Sequence, residues 1–178
     1  MKILVLNGSP RANGNTKRMI NIFKESAEQN GNDVTVIDVF KKNVNDCLGC
    51  EFCHGTGKGQ CSQKDDMYEI YKLMKESEML VLASPIYYKG VSGKLKCVID
   101  RFYAVLYPSN QTNIKKIAMF LASGSSHQYE GAIFSYEGDF IDYLGLEGMG
   151  VYTSYDDNID EKLIKDGLNK TFRDVLVD

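Results

Sequence analysis

Residues 3–6 read Ile-Leu-Val-Leu, and residues 8–16 read Gly-Ser-Pro-Arg-Ala-Asn-Gly-Asn-Thr. The apolar run is a buried strand. The turn after it opens a helix expected over 15–29, where Met19, Ile20, Phe23 and Ala27 recur at helical spacing before Asn30-Gly31. Strand, tight polar turn and helix commit the chain to a β–α unit whose turn is a cup for an anion. The first turn of a helix carries unpaired backbone N–H groups and the positive end of the macrodipole. Gly8 and Gly14 let the backbone close on a phosphate, Ser9, Asn15 and Thr16 add side-chain donors, and Arg11 adds a charged planar fork. A triphosphate loop has four residues between its glycines and then a lysine. Here five residues separate Gly8 from Gly14, and Asn15 stands at the lysine position. The G-x-G-x-x-G pattern of dinucleotide sites is absent from this turn. A single phosphate held by hydroxyls and amides is therefore expected, against the plainer alternative of an ordinary capped helix.

The rest of the chain alternates in the same way. Strands are expected over 34–40, 79–83, 117–122 and 151–154. Helices are expected over 65–76, 93–106, 129–144 and 159–176, with Gly131 and Gly138 weakening the third. No repeat, linker or low-complexity tract interrupts them, so residues 1–178 are expected to form one domain. The runs at 3–6, 79–83 and 117–122 are almost wholly apolar, the mark of strands buried on both faces of a parallel sheet. Five β–α units of this length predict an α/β fold: a flavodoxin-like three-layer sandwich. Its five-stranded parallel sheet takes the order 2-1-3-4-5, with helices on both faces. The ligand crevice of such a sheet lies at the switch point, outside the carboxyl ends of the strands.

Two further loops leave that edge. Strand three runs into Ser84-Pro85-Ile86-Tyr87-Tyr88, and strand four into Ser123-Gly124-Ser125-Ser126-His127. Their small residues expose backbone N–H and C=O groups along which a flat heteroaromatic ring can lie, with Tyr87 and Tyr88 for stacking; simple packing is the alternative role for the two tyrosines. His127 is given no catalytic role. A net charge of −3 with 43% apolar and 25% charged residues offers no basis for a nucleic-acid or acidic-membrane partner. No apolar run approaches the roughly 18 residues of a membrane span, and Met1-Lys2 leads into a strand rather than a signal peptide. A cytoplasmic location is expected.

In that compartment thiols stay reduced, so Cys47, Cys50, Cys53 and Cys61 need an account other than disulfides. Their spacing is C-x2-C-x2-C-x7-C, and glycines at 55, 57 and 59 let the chain return its fourth thiol to the first three. Convergent thiolates are the ligand set of zinc or an iron–sulfur cluster; redox-active thiols or no metal are the alternatives. Strand two neighbours strand one, so the loop starts two strand spacings, roughly 10 Å at ~4.8 Å each, from strand three. Cys97 is expected as a buried small hydrophobe and His54 as a solvent-facing loop residue or a substitute ligand.

Gly8-Ser9-Pro10-Arg11, Gly14-Asn15-Thr16, Ser84-Pro85-Ile86-Tyr87-Tyr88, Lys94 and Asp100-Arg101 together resemble the NAD(P)H-dependent FMN reductase family. The likeness covers nearly the whole chain and is weakest over 128–155. It implies that Ser9, Arg11, Asn15 and Thr16 bind the FMN phosphate. It places Pro85, Ile86, Tyr87 and Tyr88 along the isoalloxazine, with Ser123 and Gly124 at its other edge. The cysteine spacing resembles the iron–sulfur flavoproteins, a branch that carries a [4Fe–4S] cluster beside FMN, which implies Cys47, Cys50, Cys53 and Cys61 as its ligands. The resemblance further implies a homodimer or homotetramer in which one subunit covers the other's flavin. The function expected is electron transfer from NAD(P)H, as co-substrate, through FMN to a flavin, quinone, nitro compound or iron–sulfur acceptor. No catalytic side chain is required, because flavin N5 carries the chemistry. One alternative is an iron–sulfur flavoprotein or flavodoxin-type electron carrier fed by a protein donor. Another is a metal-binding or regulatory module with a vestigial pocket.

Overall fold

In β1 (Lys2–Asn7) every side chain after Lys2 is buried, so the strand needs neighbours on both sides and cover on both faces. The computed structural model describes residues 1–155 and 160–176. β1 lies between β2 (Asp33–Asp38) and β3 (Met79–Tyr87). β3 then pairs with β5 (Lys116–Ser123), and β5 with β6 (Glu147–Tyr155), all parallel. The order β2-β1-β3-β5-β6 is the predicted 2-1-3-4-5 arrangement. A two-residue strand, β4 (Gly90–Val91), turns back antiparallel on the end of β3 and was not expected.

Helices cover both faces. On one side α1 (Asn15–Gln29), α6 (Glu161–Thr171) and α7 (Arg173–Leu176) pack Met19, Ile20, Phe23, Ile164, Leu168 and Val175 against Ile3, Val5, Val81 and Phe120. On the other, α2 (Met67–Glu76), α3 (Gly93–Arg101), α4 (Tyr103–Leu106) and α5 (Glu130–Ser135) cover Leu4, Leu6, Leu80, Leu82 and Leu121. Alternate residues of one strand thus feed opposite cores, as the period of a strand requires. Among the described residues no helix is long and apolar enough to cross a membrane.

Several boundaries differ from expectation. The helix over 93–106 is two helices, because the Phe102 N–H bonds Ile99 O at 2.9 Å, a three-residue closure that tightens the chain and ends α3. The segment over 129–144 is α5 followed by a π-helical stretch, Tyr136–Tyr143, in which the Tyr136 hydroxyl donates to Ile117 O at 2.7 Å. The second strand stops at Asp38 rather than 40, and Val39–Lys41 is a 3-10 turn. The helix expected from 65 begins at Met67, whose N–H is accepted by the Asp65 carboxylate at 3.1 Å. β3 runs on to Tyr87 and β6 starts at Glu147, both longer than the apolar runs that announced them. The last helix starts at Glu161, with Asp160 accepting from the Lys162 N–H at 3.0 Å, and closes at Thr171; Ile159, its expected start, lies outside the described residues.

Candidate functional site

Asn7, Ala83 and Phe120 stand side by side in the register of β1, β3 and β5. The loops after these strands therefore leave the sheet at one edge. They enclose a cleft of about 230 Å³ lined by Ser9, Arg11, Gly14, Asn15, Thr16, Pro85, Ile86, Tyr87, Ala122, Ser123 and Gly124. The predicted site residues are brought together except Tyr88, which follows the β3 end with φ +50° and is fully exposed outside the cleft. Ser9, Asn15 and Thr16 are buried, whereas Arg11 is exposed at the rim.

The first loop is anchored by hydrogen bonds to the end of β3 and to Ser92. Gly8 N–H donates to Ala83 O at 2.8 Å, and Ser92 Oγ donates to Gly8 O at 2.8 Å. A Cβ on Gly8 would stand 2.6 Å from Ser92 Oγ and 2.8 Å from Leu95 Cβ, so this close approach admits only glycine. Asn7 accepts from the Ser9 N–H at 3.0 Å and donates to Asp38 at 2.9 Å. Burial raises the pKa of Asp38, but the Asn7 hydrogen bond, with Lys41 and Lys17, outweighs this and leaves it below the ordinary carboxylate value. Gly14 is the N-cap of α1 and, having no side chain, makes no side-chain capping bond there. The amino end of α1 faces a cleft where an anion fits the donors present. On the far wall the Ser123 hydroxyl donates to Tyr129 Oη at 2.9 Å, and Tyr129 donates to Ser154 O at 2.9 Å.

Four braces went unrecognised in the sequence. Asn7 and Ser92 fix the first loop, Ser84 accepts from the Ser92 N–H at 2.8 Å, and Tyr129 fixes Ser123. Asn7, two residues before the amide it accepts from, is an Asx turn legible in principle. Ser92, the N-cap of α3, accepts from Leu95 N at 3.4 Å and is likewise a readable signal. A larger cavity of about 380 Å³, lined by Val91, Ile99, Phe102, Tyr103, Phe140 and Leu144 among others, lies beyond the β3–β4 turn. It contains none of the phosphate-loop donors, which line the smaller cleft.

The cysteine loop leaves the same sheet edge after β2 but packs onto the opposite layer. Cys47, Cys50, Cys53 and Cys61 line one small cavity of about 20 Å³ with Tyr71 of α2 and with Arg101, Tyr103 and Ala104 from α3 and α4. No three metal-ligating side chains among the described residues are gathered closely enough to hold an ion. The Ser62 hydroxyl, 3.5 Å from Cys50 Sγ, lowers the Cys50 pKa, while burial pushes Cys53 up. His54 is a correction: its ring lies against Tyr103, centroids 4.2 Å apart, with Nε2 2.9 Å from Tyr103 O and a side chain only 17% exposed, because the loop folds back onto α4. Cys97 is half-buried on α3 rather than enclosed.

The chain matches the family model for NADPH-dependent FMN reductase over residues 1–146 and belongs to that family. It is 40% identical over 101 residues to an iron–sulfur flavoprotein of Archaeoglobus fulgidus, covering 57% of this chain and 45% of that one. It is 39% identical over 101 residues to an iron–sulfur flavoprotein of Methanocaldococcus jannaschii, covering 57% of this chain and 51% of that one. The chain thus spans about half the length of these curated relatives. Its fold is also that of the NAD(P)H:quinone oxidoreductase from Methanothermobacter marburgensis, at TM-score 0.74 and 17% identity, covering 97% of this chain and 93% of that one. FMN with a nicotinamide co-substrate, expected from the motifs, agrees with this membership.

Proposed function

We propose that the chain is an FMN-dependent oxidoreductase, with residues 1–178 acting as one flavin-binding unit. The observation that carries this reading is the cleft at the carboxyl ends of β1, β3 and β5, where the glycine-capped amino end of α1 meets two small-residue loops. The α1 amides with Ser9, Asn15 and Thr16 hold the phosphate, and Arg11 closes over it from the rim. Backbone groups of residues 85–87 and 123–124 hydrogen-bond the ring edges, Tyr87 covers one face, and Tyr88 stands at the mouth where a co-substrate enters. Bound FMN would supply the redox chemistry, accepting hydride from NAD(P)H and passing electrons to a quinone, flavin or nitro compound.

The cysteine loop fits an iron–sulfur cluster in donor type and number, since all four thiols share one cavity. At about 20 Å³ that cavity has room for about one water. Loading therefore requires the exposed residues 48–50, with Gly49 at φ +60°, to swing outward. An electron carrier fed by a protein donor is the second reading, favoured by this loop and by the names of the relatives. The exposed rings of Tyr87, Tyr88, Phe134 and Tyr143 support assembly as a homodimer or homotetramer.

Protein purified without oxygen and supplied with FMN should lose its flavin absorbance band on addition of NADH or NADPH. Bleaching by neither nucleotide contradicts the reductase. Iron and sulfide bound to the same preparation support the cluster, whereas colourless, zinc-loaded protein contradicts electron transfer through the loop.

A further inference from the structure

The neck of the cysteine loop is closed by charges withdrawn from water. Arg101 donates from Nη1 and Nη2 to the two Asp65 oxygens at 2.9 and 3.1 Å, and from Nη1 to Asn45 O at 3.1 Å. The two side chains are 1% and 3% exposed. Asn45 precedes Cys47 and Asp65 follows Cys61, so one guanidinium ties both ends of the loop. That task occupies only the outer nitrogens. Among the described residues, Arg101 Nε is buried without a hydrogen-bond partner. A buried donor left unpaired is costly, and a neck held by apolar packing would avoid the cost. Arg101 also lines the cavity shared by the four thiols. Tyr71, on the same wall, donates its hydroxyl hydrogen to Arg101 O at 2.8 Å.

We propose that Arg101 is a positioning residue for an anionic occupant of the cysteine cavity. Its Nε–H serves a thiolate or cluster sulfur while Asp65 holds the guanidinium in place. This rests on the reading that the loop carries an iron–sulfur cluster. Thiolates and sulfide bring negative charge into a small, water-poor space. A fixed cation lining that space offsets the charge and favours the reduced state, which carries one more negative charge. Asp65 opposes the effect, so the two members of one ion pair act on the cluster with opposite sign.

That opposition provides the test. Anaerobically reconstituted full-length protein is titrated with dithionite, and the cluster is followed by electron paramagnetic resonance. In Arg101→Gln the positive charge is gone, while Asp65 keeps the Asn45 and Met67 N–H donors at 3.2 and 3.1 Å. The cluster midpoint should move to lower potential. In Asp65→Asn the cation remains, and the midpoint should move to higher potential. Arg101→Lys, which keeps the charge without Nε, should fall between wild type and Arg101→Gln. A pair that merely clasps the neck is broken by either change, so shifts of the same sign, or none, overturn the inference while leaving the cluster itself intact. Should Arg101→Gln fail to fold, Asp65→Asn is compared with the double variant; a midpoint for Asp65→Asn no higher than the double variant overturns it equally. Wild-type protein that takes up no iron or sulfide overturns the cluster reading instead, and this inference with it.

Discussion

Asp65 is an ion in the protein interior. Burial raises its pKa, but the Arg101 hydrogen bond and the Asn45 and Met67 amides outweigh this and hold the carboxyl below the ordinary value. The stabilisation it gives is fully present above its unfolded pKa of about 3.9 and is lost as pH falls through the lower folded value. Asp65→Ala, which strands Arg101 without its partner, should cost about 3–5 kcal/mol at neutral pH. Its urea-unfolding stability should also fall less steeply than that of wild type below about pH 4. Equal acid slopes would place the acid-sensitive group elsewhere. Gly8→Ala should cost about 1–3 kcal/mol, because overpacking forces backbone or side-chain shifts and its Cβ meets Ser92 and Leu95; an unchanged urea midpoint would show that the loop yields. Ser9, Asn15 and Thr16 were legible because their types and spacing after a strand are themselves the signal. Ser92 and Arg101 were not read as braces, since their partners Gly8 and Asp65 lie 84 and 36 residues away and only the fold unites them.

Elements whose apolar runs or helical spacing stand alone in sequence came out close to expectation, as with β1, α1 and β5. Boundaries shifted where tertiary bonds decide them. β3 continues past its apolar run because Ser84 and Pro85 still pair with Leu121 and Ala122 of β5. The helix at 129–144 widened into a π turn where Tyr136 reaches across to the register shift between Ile117 and Ala118, a contact no local pattern announces. Tyr136→Phe removes that hydroxyl from Ile117 O and should cost about 1–3 kcal/mol for the stranded carbonyl. The urea midpoint should fall with an unchanged m-value. A changed m-value would mean that the stretch unfolds on its own.

At the scale of the molecule, the strand order does the positioning. Because β1 and β3 are neighbours and their helices leave on opposite faces, the loops after β1, β3 and β5 converge with nothing between them. The parallel sheet was legible from strands buried on both faces, and its order from five β–α units of that length; the packing of the cysteine loop onto α3 and α4 was not, because a loop's path over a surface has no periodicity to read. A ligand that binds only the folded state stabilises it by about 2.7 kcal/mol at a hundredfold excess over Kd, so FMN should raise the melting temperature in a concentration-dependent way; no rise would mean that the cleft holds something else. The central claim is that the amino end of α1 holds the phosphate of FMN. The most direct measurement compares FMN and riboflavin affinities in wild type and in the Arg11→Ala, Thr16→Ala double variant. Charged and neutral phosphate hydrogen bonds are worth on the order of 1–3 kcal/mol each. The account therefore predicts at least about a tenfold loss for FMN with riboflavin almost unchanged; equal losses for both ligands would contradict it.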